Sequence, residues 1–144
     1  MSDIEKAAAG FSQGLNCAQS VLSAYGPRFG LDRDLALKLA SGFGGGIGHR
    51  GESCGVVTGA IMVIGLKHGG TLADGQESLD KTYGLIERFL ESFKARHGSI
   101  LCRELLGCDI STPEGLQAAR DKGLFFDVCP KYVRDSAEIL EEIL

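Results

Sequence analysis

Five cysteines are the residues of this 144-residue chain best suited to carry chemistry. Four of them stand where the sequence predicts that a helix begins: Cys17, Cys54, Cys102 and Cys129. Unpaired backbone N–H groups and the helix dipole favour negative charge at a helix N-terminus. Such a setting can lower a cysteine pKa from about 8.5 to about 3.5–7.5, and the thiolate attacks disulfides, reacts with oxidants and binds metals. These four thiols are therefore the candidate catalytic and metal-ligating residues.

The fifth thiol and the spacing of the other four limit the kind of site they can form. Cys108 follows Gly107, just after a predicted helix ends, and lacks the features that favour a thiolate. No CxxC or CxxxC pair occurs, so neither a thioredoxin-type nor a zinc-ribbon site is indicated. The fold must bring the four together, and we expect at least three sulfurs in one shared site. Free cysteines are also common buried core residues, so inert thiols remain an alternative.

Residues 42–51 form a glycine-rich loop that stands just before Cys54. Part of it satisfies GxGxxG, but a dinucleotide site needs a preceding strand and an acidic residue about 20 positions later. A helix is predicted before this loop, and Lys67, His68 and Gly69 follow at that distance. The glycines are interpreted instead as letting backbone approach a cluster, an anion or the Cys54 sulfur, or as a tight interhelical connection. The candidate cofactor-binding residues are Gly45, Gly46, Gly48, His49 and Gly55.

Two cations near Cys54 strengthen its candidacy as the reactive thiol. A positive charge on Arg50 would favour the thiolate, and His49 could exchange a proton with it. The alternative is that this charged stretch of the loop is simply solvated.

Capping residues, prolines and glycines divide the chain into helices and leave no convincing sheet. The predicted helices cover residues 4–11, 17–25, 35–41, 54–67, 74–96 and 99–106, one that opens at Thr112-Pro113, and 130–143. Predicted N-caps include Asn16, Asp32 and Ser53. Residues 54–67 also have the β-branched content of a strand, but the apolar run is longer than a usual strand. We predict an all-α, single-domain multi-helix bundle over residues 1–144, with 54–67 as its buried central helix.

Periodicity predicts the apolar stripes of two other helices. One consists of Leu35, Leu39 and Phe43, and the longer one of Leu79, Tyr83, Ile86, Leu90 and Phe93. Residues spaced by three and four positions share one helix face, which normally packs on the core.

Composition restricts the partners and the compartment. A net charge of −4 and a pI near 5.3 argue against a nucleic-acid or anionic-membrane surface. The first residues do not resemble a signal peptide, and the most apolar segment, 56–66, is shorter than the about 20 residues that span a bilayer. We expect a cytoplasmic protein, where free thiols stay reduced. Twofold-symmetric homodimers are the commonest soluble oligomers, and this frequency is the only reason to suggest a homodimer here.

The cysteines and their neighbours resemble those of a redox-active protein family named for four widely separated cysteines and a CGAxxG motif. The matching motif is Cys54-Gly55-Val56-Val57-Thr58-Gly59, after Gly44-Gly45-Gly46-Ile47-Gly48. The other signature cysteines would be Cys17, Cys102 and Cys129, and the resemblance runs from Phe11 to Leu140. Val56 replaces the alanine of the motif, and Cys108 lies outside the signature. The resemblance implies redox activity with no established substrate, and a relationship to domains with an iron–sulfur centre.

Three functions are compatible with these observations. The first is a redox protein whose clustered cysteines cycle between thiol and disulfide or pass electrons to an unidentified partner, with Cys54 as the reactive member. If this redox protein uses dithiol chemistry, it needs no cofactor. The second is a module that holds an iron–sulfur cluster or another thiolate-bound metal such as zinc without turnover. The third is an interaction protein with inert, buried cysteines.

Overall fold

Nine α-helical segments and no β-strand make up the computed structural model, which describes residues 1–144. The helices are α1 (Asp3–Ser12), α2 (Cys17–Tyr25), α3 (Arg33–Ala40), α4 (Gly55–His68), α5 (Gly75–His97), α6 (Cys102–Leu106), α7 (Pro113–Asp121), α8 (Leu124–Asp127) and α9 (Cys129–Ile143). Short 3₁₀ turns at Gly26–Phe29, Ser41–Phe43 and Leu72–Asp74 join some of them. The predicted all-α fold is confirmed, and α8 is a single turn that the sequence did not indicate.

Helix α4 is the centre of the bundle, and it packs against α2, α5 and α9. Its buried side chains, all at most 1% exposed, are Val56, Val57, Ala60, Val63 and Ile64. Burial of each large aliphatic side chain stabilises the fold by roughly 1.5–3 kcal/mol. The predicted central helix is therefore confirmed, and the alternative of a strand is not. No single helix is both long and apolar enough to cross a membrane, and only α4 joined to Leu72–His97 across a 67° bend meets those criteria.

Capping side chains fix the starts of several helices at the predicted positions. Asn16 and Gln19 form a capping box, in which each side chain accepts a hydrogen bond from the other residue's backbone N–H, at 2.9 and 3.1 Å. Asp32 accepts from the N–H of Leu35 at the start of α3. A cap of this kind is typically worth about 1 kcal/mol.

The prediction that Ser53 caps the central helix is wrong. Cys54 itself is the N-cap residue of α4, which begins at Gly55. Ser53 instead forms an isolated antiparallel bridge with Leu101. Because its backbone pairs with a distant segment, its side chain is not placed at the first turn of α4.

The two apolar stripes predicted for α3 and α5 are also partly wrong. In α3, Leu35 and Leu39 are 49% and 52% exposed, whereas Ala36 and Ala40 are fully buried. The small alanine side chains thus form the buried face of this helix, which packs against α2. In α5, the first two members of the stripe, Leu79 and Tyr83, are exposed.

The buried face of α5 begins one residue away from the predicted stripe. Thr82 is buried, and its hydroxyl donates to the carbonyls of Ser78 and His68, which ties the start of α5 to the end of α4. Phe89 and Phe93 are fully buried further along the helix. The hydrogen bonds of Thr82 therefore fix which face of α5 is buried, and hydrophobic periodicity alone cannot predict this orientation.

Candidate functional site

The structure places four cysteines at the starts of four helices, as the sequence predicts. Cys17, Cys102 and Cys129 are the first residues of α2, α6 and α9, and Cys54 is the N-cap residue of α4. All four are free thiols and are between 5% and 9% exposed. The N-terminal ends of α2, α4 and α9 favour negative charge on a nearby sulfur.

Polar contacts around Asn16 hold Cys17 in place. The Asn16 side chain caps α2 and also donates to the carbonyl of Ser41 at 3.1 Å, while Gln19 donates to the carbonyl of Leu37 at 3.0 Å. These bonds join the start of α2 to the end of α3 and to the 3₁₀ turn Ser41–Phe43. They therefore fix the position of the helix start that carries Cys17.

A short antiparallel pairing places Cys54 beside Cys102. The N–H of Cys54 donates to the carbonyl of Ile100, and the N–H of Cys102 donates to the carbonyl of Glu52, both at 2.7 Å. The Ser53–Leu101 bridge lies between these two bonds. Segments this short carry no strand pattern in the sequence. The pairing nevertheless brings the starts of α4 and α6 together.

Glycines allow the backbone to approach two of the thiols closely. A Cβ at Gly55 would lie 2.8 Å from both the Cβ of Cys17 and the backbone nitrogen of Ala18. A Cβ at Gly46 would lie 2.7 Å from the Cβ of Cys102. Real Cβ atoms do not come this close, so a side chain at either position would displace a cysteine. The predicted close approach thus involves Cys17 and Cys102 rather than the Cys54 sulfur.

The glycine-rich loop is left-handed over residues 45–49. Its φ angles range from +58° to +71°, including those of the non-glycine residues Ile47 and His49. A positive φ is uncommon for non-glycine residues and is an outlier for a β-branched residue such as Ile47. Hydrogen bonds across the loop, such as Gly48 N to Gly42 O at 2.8 Å, hold it in this shape. Hydrogen bonds therefore hold the loop in one left-handed conformation beside the thiols.

Cys17 lies at the centre of the thiol cluster. Its interactions with the side chains of Cys129 and Cys54, together with burial, raise the pKa of Cys17 well above its ordinary value. The interaction with Cys17 lowers the pKa of Cys54, against the opposing effect of burial. Cys54 is therefore the more readily ionised of the two thiols.

Backbone N–H groups at the start of α4 add to the stabilisation of the Cys54 thiolate. Contacts with the N–H groups of Val56 and Val57 lower the pKa of Cys54 further. Neither contact has the geometry of a conventional capping hydrogen bond. The effect of these two groups is therefore smaller than that of the Cys17 thiol.

The other two thiols of the predicted set and Cys108 differ in their surroundings. Burial raises the pKa of Cys102 to about 12, and the nearby Cys54 and Cys129 contribute to the shift. The side chain of Cys129 interacts with that of Cys17. Cys108 is half-buried and does not line the cavity that the other thiols share. The structure thus separates Cys108 from the cluster.

A cavity of about 270 Å³ lies over three of the thiols, Cys17, Cys102 and Cys129. Gly45 and His49 of the left-handed loop also line it. Cys54 does not line the cavity, so a molecule in it would meet Cys17 or Cys129 before Cys54. Cys54, the thiol with the lowered pKa, therefore does not contact the cavity directly.

Four of the five residues proposed as cofactor-binding lie at the site, and one does not. Gly45, Gly46, His49 and Gly55 lie at the cavity or against a cysteine. Gly48 is exposed, with open space where a side chain would be. The expected effect of His49 and Arg50 on Cys54 is not found, because the lowered pKa of Cys54 has other causes. Hydrogen bonds from Ser111 lower the pKa of Asp109, and the charge on Arg50 adds a smaller effect in the same direction.

The thiol cluster does not have the arrangement of a metal site. No three side chains among His, Cys, Asp and Glu are placed so that together they could hold a metal ion. Four thiolates are suitable ligands for zinc or an iron–sulfur cluster, but such a site needs a defined tetrahedral arrangement. The residues as arranged therefore fit a group of interacting thiols better than a metal centre.

Sequence reasoning missed the other walls of the cavity. Arg120 of α7 and Phe125 of α8 both line it, together with Leu116, one helical turn before Arg120. The i, i+4 spacing of Leu116 and Arg120 was the only available signal, and it is typical of any amphipathic helix. Their relation to the cysteines depends on how α7 and α8 fold back, which no local pattern indicates.

Comparison with known proteins gives one match. A family model described as "Putative redox-active protein (C_GCAxxG_C_C)" matches residues 15–143. No curated protein and no solved structure matches the chain. The matched range contains all five cysteines and the whole cavity except Phe11 and Gly14.

Proposed function

Because the chain belongs to this family of redox-active proteins, we propose that it performs thiol–disulfide chemistry in which Cys17 and Cys54 interconvert between a thiol pair and a disulfide. The observation that carries the proposal is the packing of Gly55, the neighbour of Cys54, against the Cβ of Cys17, together with an interaction of the two thiols that raises the pKa of Cys17 and lowers that of Cys54. A thiolate beside a neutral thiol is the starting arrangement for disulfide formation.

The reaction is a two-electron oxidation. Two thiols lose two protons and two electrons when the sulfur–sulfur bond forms, and an external disulfide accepts them as two new thiols. Cys17 is the only one of the pair that lines the cavity, so it would form the first bond with an external sulfur. Cys54 would then attack the Cys17 sulfur from below and release the second external thiol.

Cys129 is a further member of the cluster. It lines the cavity, and its side chain also interacts with that of Cys17. We propose that Cys129 is a neighbour of the pair that does not join the disulfide, because Cys54 is the thiol whose pKa is lowered. We propose Cys102, with its raised pKa, as a protonated neighbour.

A reducing compartment would return the protein to its thiol form. The cytoplasm keeps thiols reduced through dithiol reductants, so we propose a cytoplasmic location and a protein or small-molecule dithiol as the electron donor. The acidic net charge of −4 is unsuited to a nucleic-acid partner.

Equilibration of the full chain with dithiothreitol redox buffers, without oxygen, tests the proposal. We expect one transition in which two of the five thiols disappear together, and the same transition in Cys108→Ser, which serves as the control because Cys108 lies outside the cavity. Iron and zinc content should be measured on the same preparation. Bound metal, with thiols that resist oxidation until it is removed, would favour a metal-binding module instead, and five inert thiols would favour the interaction protein.

A further inference from the structure

The walls of the thiol cavity are apolar. Apart from the three cysteines and a few polar or glycine positions, it is lined by Phe11, Leu15, Leu106, Leu116 and Phe125. Its volume of about 270 Å³ is just below the range of about 300–1,000 Å³ that is usual for small-molecule sites. The cavity therefore suits a small organic molecule and is too narrow for a folded protein surface.

The charged groups of the cavity are all cationic or potentially cationic. Arg120 and His49 line it, and no aspartate or glutamate does. Arg120 is exposed and takes part in none of the ion pairs of the chain. A guanidinium without a carboxylate partner, in a protein of net charge −4, is available to bind an anionic group.

From this geometry, and resting on the proposed thiol–disulfide function, we infer that the cavity binds a small organic disulfide that carries a carboxylate. Arg120 would hold the carboxylate at the mouth, and the apolar walls would surround the carbon chain. The disulfide would then lie against Cys17, which the cavity exposes.

The reaction in the cavity is balanced in two steps. Cys17 passes its proton to the Cys54 thiolate as its sulfur attacks one sulfur of the substrate, whose disulfide bond breaks and releases a thiolate. Cys54 next gives up that proton to the second leaving thiolate as it attacks the Cys17 sulfur. One substrate disulfide is reduced to two thiol products, one of them released as its thiolate, and Cys17 and Cys54 are oxidised to a disulfide. A dithiol reductant restores them.

Three disulfides of similar size and different charge test the inference: dithiodipropionate (anionic), hydroxyethyl disulfide (neutral) and cystamine (cationic). The readout is the rate at which the reduced protein forms its internal disulfide, divided by the rate of a free small-molecule thiol with the same probe. We expect dithiodipropionate to react about fivefold faster than cystamine, which is the effect of one partly exposed ion pair. In Arg120→Gln this ratio should fall to about one.

Lys122→Gln is the matched control. Lys122 is an exposed cation two residues from Arg120 that does not line the cavity, so its loss should leave the ratio unchanged. Equal rates for the anionic and cationic probes, or the same fall in both variants, would overturn the carboxylate site while leaving the thiol pair intact. Failure of every probe to produce an internal disulfide would instead overturn the proposed function. Both replaced residues are exposed, so both variants should fold, which circular dichroism can verify.

Discussion

In Cys54→Ser, reaction with the neutral probe hydroxyethyl disulfide is expected to stop at a mixed disulfide on Cys17. The wild-type chain should instead form its internal disulfide, which lowers its mass by two hydrogen atoms, and carry no bound probe. The first step should also slow by about a hundredfold, because the variant lacks the thiolate that accepts the Cys17 proton, and general-base assistance is worth about 10²–10⁴ in rate. Intact-mass spectrometry of quenched samples measures both effects.

The physical basis of this expectation is the interaction of the Cys17 and Cys54 thiols. Serine nearly matches cysteine in size but is a far poorer nucleophile at neutral pH. Because the pKa of Cys54 is lowered, the wild-type reaction should lose rate only when the pH falls below that lowered pKa, where the Cys54 thiolate is protonated. The reaction of Cys54→Ser should instead depend on the ionisation of Cys17, whose pKa is raised, and should gain rate toward alkaline pH.

Cys108→Ser is the control for this comparison. Cys108 lies outside the cavity and does not interact with Cys17, so its loss should leave rate and product as in the wild type. Equal losses in the two variants would show that Cys108 belongs to the reactive set. A Cys54→Ser chain that still forms an internal disulfide at the wild-type rate would show that Cys54 is not the partner of Cys17. Circular dichroism should first establish that both variants are folded.

Gly46→Ala is expected to destabilise the protein by about 3 kcal/mol. The φ of +71° at Gly46 is unfavourable for any residue with a Cβ, at roughly 1–2 kcal/mol. The new methyl would also lie 2.6 Å from the backbone nitrogen of Glu52 and 2.7 Å from the Cβ of Cys102, and overpacking of this kind costs about 1–3 kcal/mol. Urea denaturation measures the change in the free energy of unfolding.

Gly48→Ala separates the two causes. Gly48 has a φ of +58° in the same loop, but a Cβ there has no neighbour within 4 Å. Its replacement should therefore carry only the conformational cost, about 1 kcal/mol. The alkylation rate of Cys102 should change in Gly46→Ala and not in Gly48→Ala. Equal destabilisation by both substitutions would contradict the role of Gly46 in positioning Cys102.

Local signals made most of the fold predictable. Asn16 and Asp32 are side-chain caps whose action is confined to one helical turn, and most residues of the 54–67 segment are apolar. Both features act through near neighbours in the sequence, so they can be recognised without a structure. The placement of four cysteines at helix starts follows from the same boundaries.

The errors and omissions arise from contacts between distant segments. Ser53 is not a cap because its backbone pairs with Leu101. A single bridge of this kind leaves no strand pattern in the sequence. Leu35 and Leu39 are exposed because α3 turns its alanines toward its neighbours, a choice that periodicity does not determine. Arg120 could be recognised as a site residue only after α7 was seen beside the thiols.

The charge distribution around the thiols explains why the cluster differs from an ordinary set of buried cysteines. An isolated buried thiol has a raised pKa, as Cys102 has. Cys54 is as buried as Cys102, yet its pKa is lowered, because it interacts with the Cys17 side chain and with the first N–H groups of α4. One thiol of the cluster is thus prepared for ionisation without exposure to solvent.

Identification of the disulfide formed on oxidation is the most direct test of the proposed thiol pair. Trypsin places the five cysteines in separate peptides, residues 7–28, 51–67, 97–103, 104–120 and 123–131. The reduced chain should be oxidised with one equivalent of hydroxyethyl disulfide, alkylated at its remaining thiols, digested and analysed by mass spectrometry. The expected product joins 7–28 to 51–67 and leaves alkylated Cys102, Cys108 and Cys129. A product that joins any other two peptides, or no linked peptide at all, would contradict the assignment of Cys17 and Cys54 as the redox pair.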